Sequence, residues 1–388
     1  MAVDMEETFI INDEDVVYAS WLDFICWLKS SEKYKLLNAV GSAKDIYNMK
    51  ETSIKNIVGE KACERIIEHR KKCVPAQVFE WIKEREIKYS YNKMSDFPRK
   101  LLKISDPPFG IFYKGKLPDL EVPAVAMIGA RNCSEYGRYM AEKFAGEFAS
   151  KGINIISGMA IGIDGISQRT AIKSGGKSFG ILGCGVDVIY PMSNEKLYQN
   201  LIQNGAIISE YPPYQKAKPI LFPVRNRLIS ALADVVLVVE AREKSGTLIT
   251  VDMALEQGRE VYVIPGRCTD ELSVGCNKLM RQGAGAAVTP QDIIEDMGWE
   301  ELLSQNMNKS DENKQQLMID KNSLIGKMSD ISQQICKVIN IELVSQDDIV
   351  NKLREGGVNA SVPYICQGLF ELEINGIIVR MNGKYRLT

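Results

Sequence analysis

The sequence between residues 123 and 165 constrains the fold more than any other part of the chain. It contains two short apolar segments, Ala124–Ile128 and Ile153–Ile156, each followed by a loop of small residues and then by a helical pattern. The loops are Gly129-Ala130-Arg131 and residues 157–162. Small residues let a ligand approach the backbone, and the start of a helix offers N–H groups to anions. Such loops at the carboxyl ends of neighbouring parallel strands predict an anion-binding crevice.

Further β-α units follow this segment. The additional strand candidates are Ser178–Leu182, Ala206–Ser209, Asp234–Glu240 and Glu260–Ile264. Helical patterns between the strands begin near Ser134, Asp164, Asn194, Arg225 and Thr247. Segments such as DVVLVVEA are almost continuously apolar, which is typical of parallel strands buried on both faces. The alternation predicts an α/β fold with an extended Rossmann-like, doubly wound and mostly parallel sheet.

The length of 388 residues predicts more than one domain. Residues 1–73 show short helical patterns broken by glycines, which predict a small helical domain. That domain resembles either a SAM-like or helix-hairpin-helix module or a plain docking domain. Residues 74–299 hold the Rossmann-like domain, and its Pro-rich lead-in at 74–122 disfavours long regular structure. The polar residues 300–330 predict a linker.

Residues 331–388 predict a C-terminal winged-helix domain. The pattern contains three helices and a hairpin, at Ile331–Ile341, Gln346–Arg354, Val362–Ile374, Ile377–Met381 and Lys384–Leu387, with a turn at Asn382-Gly383. A helix that reads DNA bases usually carries Lys, Arg, Asn or Gln. The third helix has Glu371 and Glu373 and no Lys or Arg. We therefore favour a protein-contact or structural role for this domain over base reading.

Composition argues against several classes of protein. No apolar run is long enough to span a bilayer, and the start MAVDMEETFI lacks the pattern of a signal peptide, so we expect a cytoplasmic protein. The nine cysteines form no CxxC pair, and we expect no metal and no cofactor. The single histidine, His69, is expected to be solvated near a helix end. The net charge of −2 requires any nucleic-acid site to rest on local positive charge.

Two nucleotide-binding signatures are absent. Gly176-Lys177-Ser178 looks like the end of a P-loop, but it precedes a strand and has no glycine at the required earlier position. Gly183-Cys184-Gly185 lacks the third small residue of a dinucleotide-binding turn. Neither ATP nor NAD is therefore expected to bind.

A local basic run gives the clearest signal for nucleic acid. Lys216, Lys218, Arg225 and Arg227 lie in a stretch without acidic residues, and Phe222 lies among them. Cations that hold phosphates and an aromatic ring that stacks on a base are the ingredients of a single-strand site. Two alternatives remain open: the arginines pin loops through internal ion pairs, and Phe222 belongs to the core.

Other candidate residues lie at the ends of strands and the starts of helices. Asp164 begins a helix, so its first expected role is an N-cap. Ser245, Gly246 and Thr247 offer hydroxyl and N–H donors to a phosphate. Ser134, Ala160 and Lys278 complete the residue-based candidates for contact with DNA.

These motifs, in this order, resemble the bacterial DNA-processing protein A family (DprA/Smf). The segments that carry the resemblance include IGARNCSEYG, SGMAIGIDG, FPVRNRLISALAD and VVEAREKSGTLIT, and the specific match spans residues 98–290. Gln168 departs from the family, whose members usually have His at this position. The resemblance implies a non-catalytic dimer that binds single-stranded DNA, protects it and loads the RecA recombinase onto it during natural transformation. It also implies that the DNA pocket is lined by Gly129, Arg131, Ser157, Gly158, Gly162, Phe222, Arg225, Asn226, Arg227, Ser245 and Gly246.

Two other functions compete with DNA binding. Hydrolases with a related Rossmann-like fold cleave nucleotide N-glycosidic bonds. That chemistry needs a carboxylate near the phosphate loop. Here Gly246-Thr247 is followed by Leu248, Ile249 and Thr250, which provide no acid. The remaining alternative is an interaction scaffold that binds no DNA.

Overall fold

The computed structural model describes residues 13–25, 27–304, 328–339, 344–381 and 383–387. The chain divides into two compact units, with the boundary between Leu303 and Ser304. In the described part, the first unit begins with a series of helices and continues with a large sheet. The N-terminal helices are α1 (Asp13–Asp23), α2 (Ser30–Val40), α3 (Ala43–Asn48), α4 (Glu51–Val58), α5 (Glu60–Lys72) and α6 (Pro75–Glu84).

Nine strands of the described chain form one sheet in the order β1-β2-β6-β5-β4-β3-β7-β8-β9. The strands are β1 (Lys88–Tyr91), β2 (Gly110–Gly115), β3 (Ala124–Ile128), β4 (Asn154–Ser157), β5 (Ser178–Ile181), β6 (Gly205–Ser209), β7 (Val235–Val238), β8 (Glu260–Val263) and β9 (Gly285–Ala286). From β6 to β9 every neighbouring pair is parallel. The predicted α/β fold with a large, mostly parallel sheet is confirmed.

Helices connect the parallel strands and cover both faces of the sheet. They are α7 (Glu135–Ser150), α8 (Ile163–Lys173), α9 (Glu195–Gln203), α10 (Leu221–Leu232), α11 (Gly246–Glu256), α12 (Val274–Arg281) and α13 (Pro290–Asp296). Alternate residues of β3 pack on opposite faces of the sheet. Val125 and Met127 share a core with Phe144 of α7, whereas Ala126 and Ile128 share a different core with residues of α10. A continuously apolar strand is therefore needed, because neither face meets water.

The lead-in at residues 74–122 contains two strands, although its prolines disfavour long regular structure in the sequence. It contributes β1 and β2, which add to the parallel sheet in antiparallel orientation, with Phe112 of β2 opposite Ser209 of β6. Phe112 is fully buried and contacts Phe24 and Tyr89, with ring centroids 5.5 and 4.9 Å away. The N-terminal helices thus share a core with the sheet. The prolines of the lead-in lie outside both strands, as the loss of a ladder donor requires.

Most predicted helix starts fall within one residue of the observed ones, but one does not. The helix expected near Arg225 begins at Leu221. Pro223 lies in its first turn, where the backbone N–H groups have no partner within the helix, so a proline is tolerated. Because α10 begins at Leu221, Phe222 and Arg225 lie on the same helix, about one turn apart.

The second unit contains three helices and a small sheet within its described residues. They are α14 (Asp330–Val338), β10 (Val344–Ser345), α15 (Gln346–Glu355), α16 (Val362–Ile374), β11 (Ile378–Met381) and β12 (Lys384–Leu387), with strand order β10-β12-β11. Ile335, Ile349, Leu369 and Leu372 form the centre of its core. The predicted end of the first helix at Ile341, the turn residue Asn382 and most of the predicted linker lie outside the described residues.

Among the described helices, none combines the length and the apolar character that crossing a membrane requires. The environment of His69, on α5, differs from the solvated position expected. Its ring lies 5.2 Å from that of Trp21, and its Nε2 is buried with no hydrogen-bond partner in the described structure. Burial lowers the pKa of His69, which outweighs the opposing effect of its hydrogen bond to the backbone of Trp21.

This shift predicts a pH dependence of stability. Because the pKa of His69 is lower in the folded protein than in the unfolded chain, protonation favours unfolding, and the free energy of unfolding should fall as pH drops below about 6.5. Replacement by glutamine removes the titrating group, so His69→Gln should lose less stability between about pH 7.5 and about pH 5.5. Urea unfolding at both pH values measures the difference. Equal pH dependence in the two proteins would contradict the assignment.

Candidate nucleic-acid interface

A cavity of about 410 Å³ opens at the carboxyl edge of the sheet, beyond the ends of β3 and β7. We call it the crevice. Predicted site residues that line it are Gly129, Arg131, Ala160, Asp164, Phe222, Arg225, Asn226, Ser245, Gly246 and Thr247. A smaller cavity adjoins it and shares Arg131, Ala160, Tyr190, Phe222 and Arg225. Residues from four separated segments of the sequence therefore meet at the predicted edge.

The N-terminus of α7 is occupied by an acidic side chain of the protein itself. Glu240 follows β7 and is buried, and its Oε2 accepts a hydrogen bond from the backbone N–H of Ser134 at 2.9 Å. The Ser134 hydroxyl donates to Glu240 Oε1 and accepts from the N–H of Gly137. This helix start thus already binds a carboxylate. Ser134 is the N-cap of α7, so its hydroxyl and backbone N–H are already bonded within the protein, and it does not line the crevice.

The second small-residue loop is held in the same way. Asp164 Oδ2 accepts hydrogen bonds from the N–H groups of Gly158 at 3.1 Å and Ala160 at 3.4 Å. The predicted N-cap role of Asp164 is wrong, because Gly162 is the N-cap of α8. Burial raises the pKa of Asp164, while Arg225 and the two N–H groups act in the opposite direction.

Gln168 completes the support of this loop. Its Oε1 accepts from the N–H of Met159 at 3.2 Å, and its Nε2 donates to the carbonyl oxygen of Phe179 at 3.0 Å. The side chain is fully buried, so it joins the loop to β5 without reaching solvent. The departure from the usual family residue is accommodated by an amide that provides both a donor and an acceptor.

Arg225 is a buried support of the crevice wall. It is 5% exposed, and its Nη1 donates to the carbonyl oxygens of Gly158, at 2.9 Å, and of Ile181. A Cβ atom at Gly158 would lie 2.7 Å from Arg225 Nη2 and 2.8 Å from Asp164 Oδ2, so only glycine fits between these two charged groups. Burial lowers the pKa of Arg225, although a guanidinium stays charged.

Arg227 faces away from the crevice. Its Nη2 lies 2.6 Å from Glu210 Oε2 and its Nε lies 3.4 Å from Asp106 Oδ2. The Arg227 and Glu210 side chains are only 10% and 9% exposed. The sequence predicts that both arginines of FPVRNR neutralise phosphate. This is corrected for Arg227, whose charge is neutralised by Glu210 and Asp106 within the protein.

Five other predicted residues lie outside the lining of the crevice. Ser157 is fully buried and donates to the carbonyl oxygen of Met127, and Gly162 lies against the backbone of Ala130 and Arg131. Lys218 is exposed, with its Nζ 5.0 Å from the ring centroid of Trp27. Lys278 lines a separate cavity of about 520 Å³ and pairs with Glu243 at 3.4 Å. Gly158 lines the smaller adjoining cavity.

Arg131 is the accessible cation of the crevice. It is exposed, and among the described residues no carboxylate lies within ion-pair distance of its guanidinium. Across the crevice, α11 begins at Gly246, with Ser245 as its N-cap accepting from the N–H of Thr247 at 3.2 Å. A free guanidinium and the start of an 11-residue helix are both suited to phosphate oxygens.

Tyr190 is a lining residue that the sequence analysis missed. Its ring stacks on that of Phe222 at a centroid distance of 5.3 Å and an interplanar angle of 26°. Tyr190 lies next to the end of the segment LGCGVDVIYP that follows β5, and nothing in that segment predicts a ring contact with α10. No group of three or more His, Cys, Asp or Glu side chains in the described part of the chain is arranged to hold a metal ion.

Comparison with known proteins gives consistent matches. The family described as DNA recombination-mediator protein A matches residues 88–298. The chain is 39% identical to DNA processing protein DprA of Streptococcus pneumoniae (strain ATCC BAA-255 / R6) over 206 residues, 53% of this chain and 73% of that protein. It is 40% identical to DprA of Bacillus subtilis (strain 168) over 202 residues, 52% and 68% of the two chains. The X-ray structure of DprA from Streptococcus pneumoniae superposes with a TM-score of 0.65 at 31% identity, covering 72% of this chain and 97% of that one.

The internal role of Arg227 predicts a loss of stability. Arg227→Ala would leave Glu210 buried without its partner, which should lower the free energy of unfolding by about 3–5 kcal/mol. The control is Arg138→Ala, because Arg138 forms an exposed pair with Glu135 at 3.6 Å and should change stability by less than about 1 kcal/mol. Urea unfolding of both variants provides the measurement. Similar small losses would show that the Arg227 pair is not structural.

Proposed function

Since the chain belongs to the DNA recombination-mediator protein A family, we propose that it binds single-stranded DNA in the crevice and acts as a recombination mediator. The observation that carries this proposal is the position of Arg131. It is an exposed, unpaired cation that faces the start of α11 across a cavity lined with aromatic rings. Together these groups can hold a phosphate and receive a base.

The electrostatics of the crevice support a local anion site in a nearly neutral protein. Its charged lining residues in the described structure are Arg131, Arg225 and Asp164, which sum to one positive charge. The overall net charge is −2, so attraction of DNA to the whole surface is weak. Binding should therefore be concentrated at the crevice and should weaken with salt as phosphate contacts are screened.

The same geometry favours binding over catalysis. The acid that lines the crevice, Asp164, is directed at the N–H groups of its own loop. Leu248, Ile249 and Thr250, which follow Gly246-Thr247 directly, provide no second acid. Hydrolysis of an N-glycosidic bond needs a carboxylate free to stabilise the developing cation, so we propose a non-enzymatic role.

Several finer features of the proposal rest on family membership. We propose that the protein protects incoming DNA, loads RecA onto it during natural transformation and functions as a homodimer. The described elements of the second unit follow the order helix, strand, helix, helix, strand, strand, which is that of a winged helix. Since α16 lacks Lys and Arg, we propose that this unit contacts protein instead of reading bases.

Removal of the Arg131 charge should weaken binding to a single strand. Arg131→Gln should lower affinity for a labelled oligo-dT and reduce the slope of log affinity against log salt by about 0.7, the value for one phosphate contact on a single strand. Fluorescence anisotropy over a salt series measures both quantities. Arg131 suits this test better than Arg225 or Arg227, because those two support the fold.

A matched control removes one exposed charge from another part of the protein. Lys72 on α5 forms an exposed pair with Glu68, and Lys72→Gln should leave both affinity and salt slope unchanged. A matching duplex should bind more weakly than oligo-dT. Unaltered binding by Arg131→Gln would remove the crevice from the proposal, and a wild-type protein that binds no oligonucleotide at low salt would refute the function itself.

A further inference from the structure

We propose that Tyr190 presents the aromatic face on which an unpaired base stacks, and that Phe222 supports the Tyr190 ring. The inference rests on the proposed function and deepens it, because it identifies the group that recognises the base. In the sequence, Phe222 was the one aromatic candidate for base stacking, with a position in the core as the open alternative. The contacts of the two rings assign it differently.

Accessibility separates the two aromatic residues. Tyr190 is 47% exposed, whereas the side chain of Phe222 is less exposed. The rings are close to parallel, with an interplanar angle of 26°. One face of Phe222 is therefore covered by Tyr190, and a base could reach that face only by displacing it.

Other contacts restrict the Phe222 ring further. A Cβ atom at Gly183 would lie 2.8 Å from Phe222 Cδ1, so the chain passes directly against the ring edge. The guanidinium carbon of Arg225 lies 6.0 Å from the centre of the Phe222 ring. These neighbours fix the orientation of Phe222, which makes it a rigid base for the tyrosine above it.

Tyr190 is also placed to act together with the phosphate-binding group. Both Tyr190 and Arg131 line the crevice and the smaller cavity beside it. A single nucleotide in the crevice can then place its base on the Tyr190 ring and its phosphate near Arg131. Stacking accepts any base, since every base has a π face, but a base within a duplex already stacks on its neighbours. This arrangement selects for unpaired DNA without selecting a sequence.

The test compares an oligo-dT with an abasic oligonucleotide of the same length and backbone charge. Tyr190→Ala should weaken binding of oligo-dT about tenfold, because it removes one base stack. It should leave binding of the abasic strand within about twofold of wild type, because that strand has no base to stack. Tyr190→Phe should restore binding of oligo-dT. The salt slope should be the same in all three proteins, since no charge changes.

Controls separate base recognition from a structural role. Tyr139→Ala removes an exposed tyrosine of α7 that does not line the crevice, and it should bind both strands as wild type does. Equal losses on both strands in Tyr190→Ala would assign Tyr190 to structure and overturn the proposal. Unchanged binding of oligo-dT by Tyr190→Ala would also overturn it, while leaving the DNA-binding function intact. Failure of the wild-type protein to bind either strand would refute the function and this inference together.

Discussion

Two buried carboxylates hold the small-residue loops on which the crevice depends. Glu240 binds the start of α7 through Ser134, and Asp164 binds the N–H groups of Gly158 and Ala160. Burying a carboxylate costs free energy unless the group accepts hydrogen bonds, and both carboxylates accept hydrogen bonds from backbone N–H groups. These bonds within the protein therefore hold the loops in place and set the shape of the crevice wall.

Because these N–H groups already donate hydrogen bonds within the protein, they are not available to a ligand. Backbone N–H groups that a glycine-rich loop would offer to phosphate are directed at side chains of the protein. The accessible groups are the Arg131 guanidinium, the start of α11 and the Tyr190 ring. A site of this kind relies on a few well-placed contacts, which suits a protein whose overall charge is close to neutral. Arg225 contributes as a buried support, since it fastens the loop at Gly158 to β5.

The parallel sheet was predictable because its signal is local. Apolar runs followed by small residues and helical patterns identify each β-α unit within about 30 residues. The antiparallel strands β1 and β2 were missed because nearby prolines indicate irregular structure, and because β2 pairs with β6, a distant segment of the sequence. Phe222 was identified as an aromatic candidate. Its partner Tyr190 was not, because stacking between a residue of α10 and one that follows β5 leaves no pattern in sequence.

The sequence alone determined the order of the β-α units, the presence of small-residue loops at one edge of the sheet and the family to which the chain belongs. Each of these depends on neighbouring residues and on motif order. Only the tertiary structure decided which charges remain free. Arg227 pairs with the buried Glu210, 17 residues away in sequence, and with the more exposed Asp106, 121 residues away. Ser134 binds Glu240 at a separation of 106. Folding alone brings such partners together, and a buried ion pair removes a charge that the sequence presents as available.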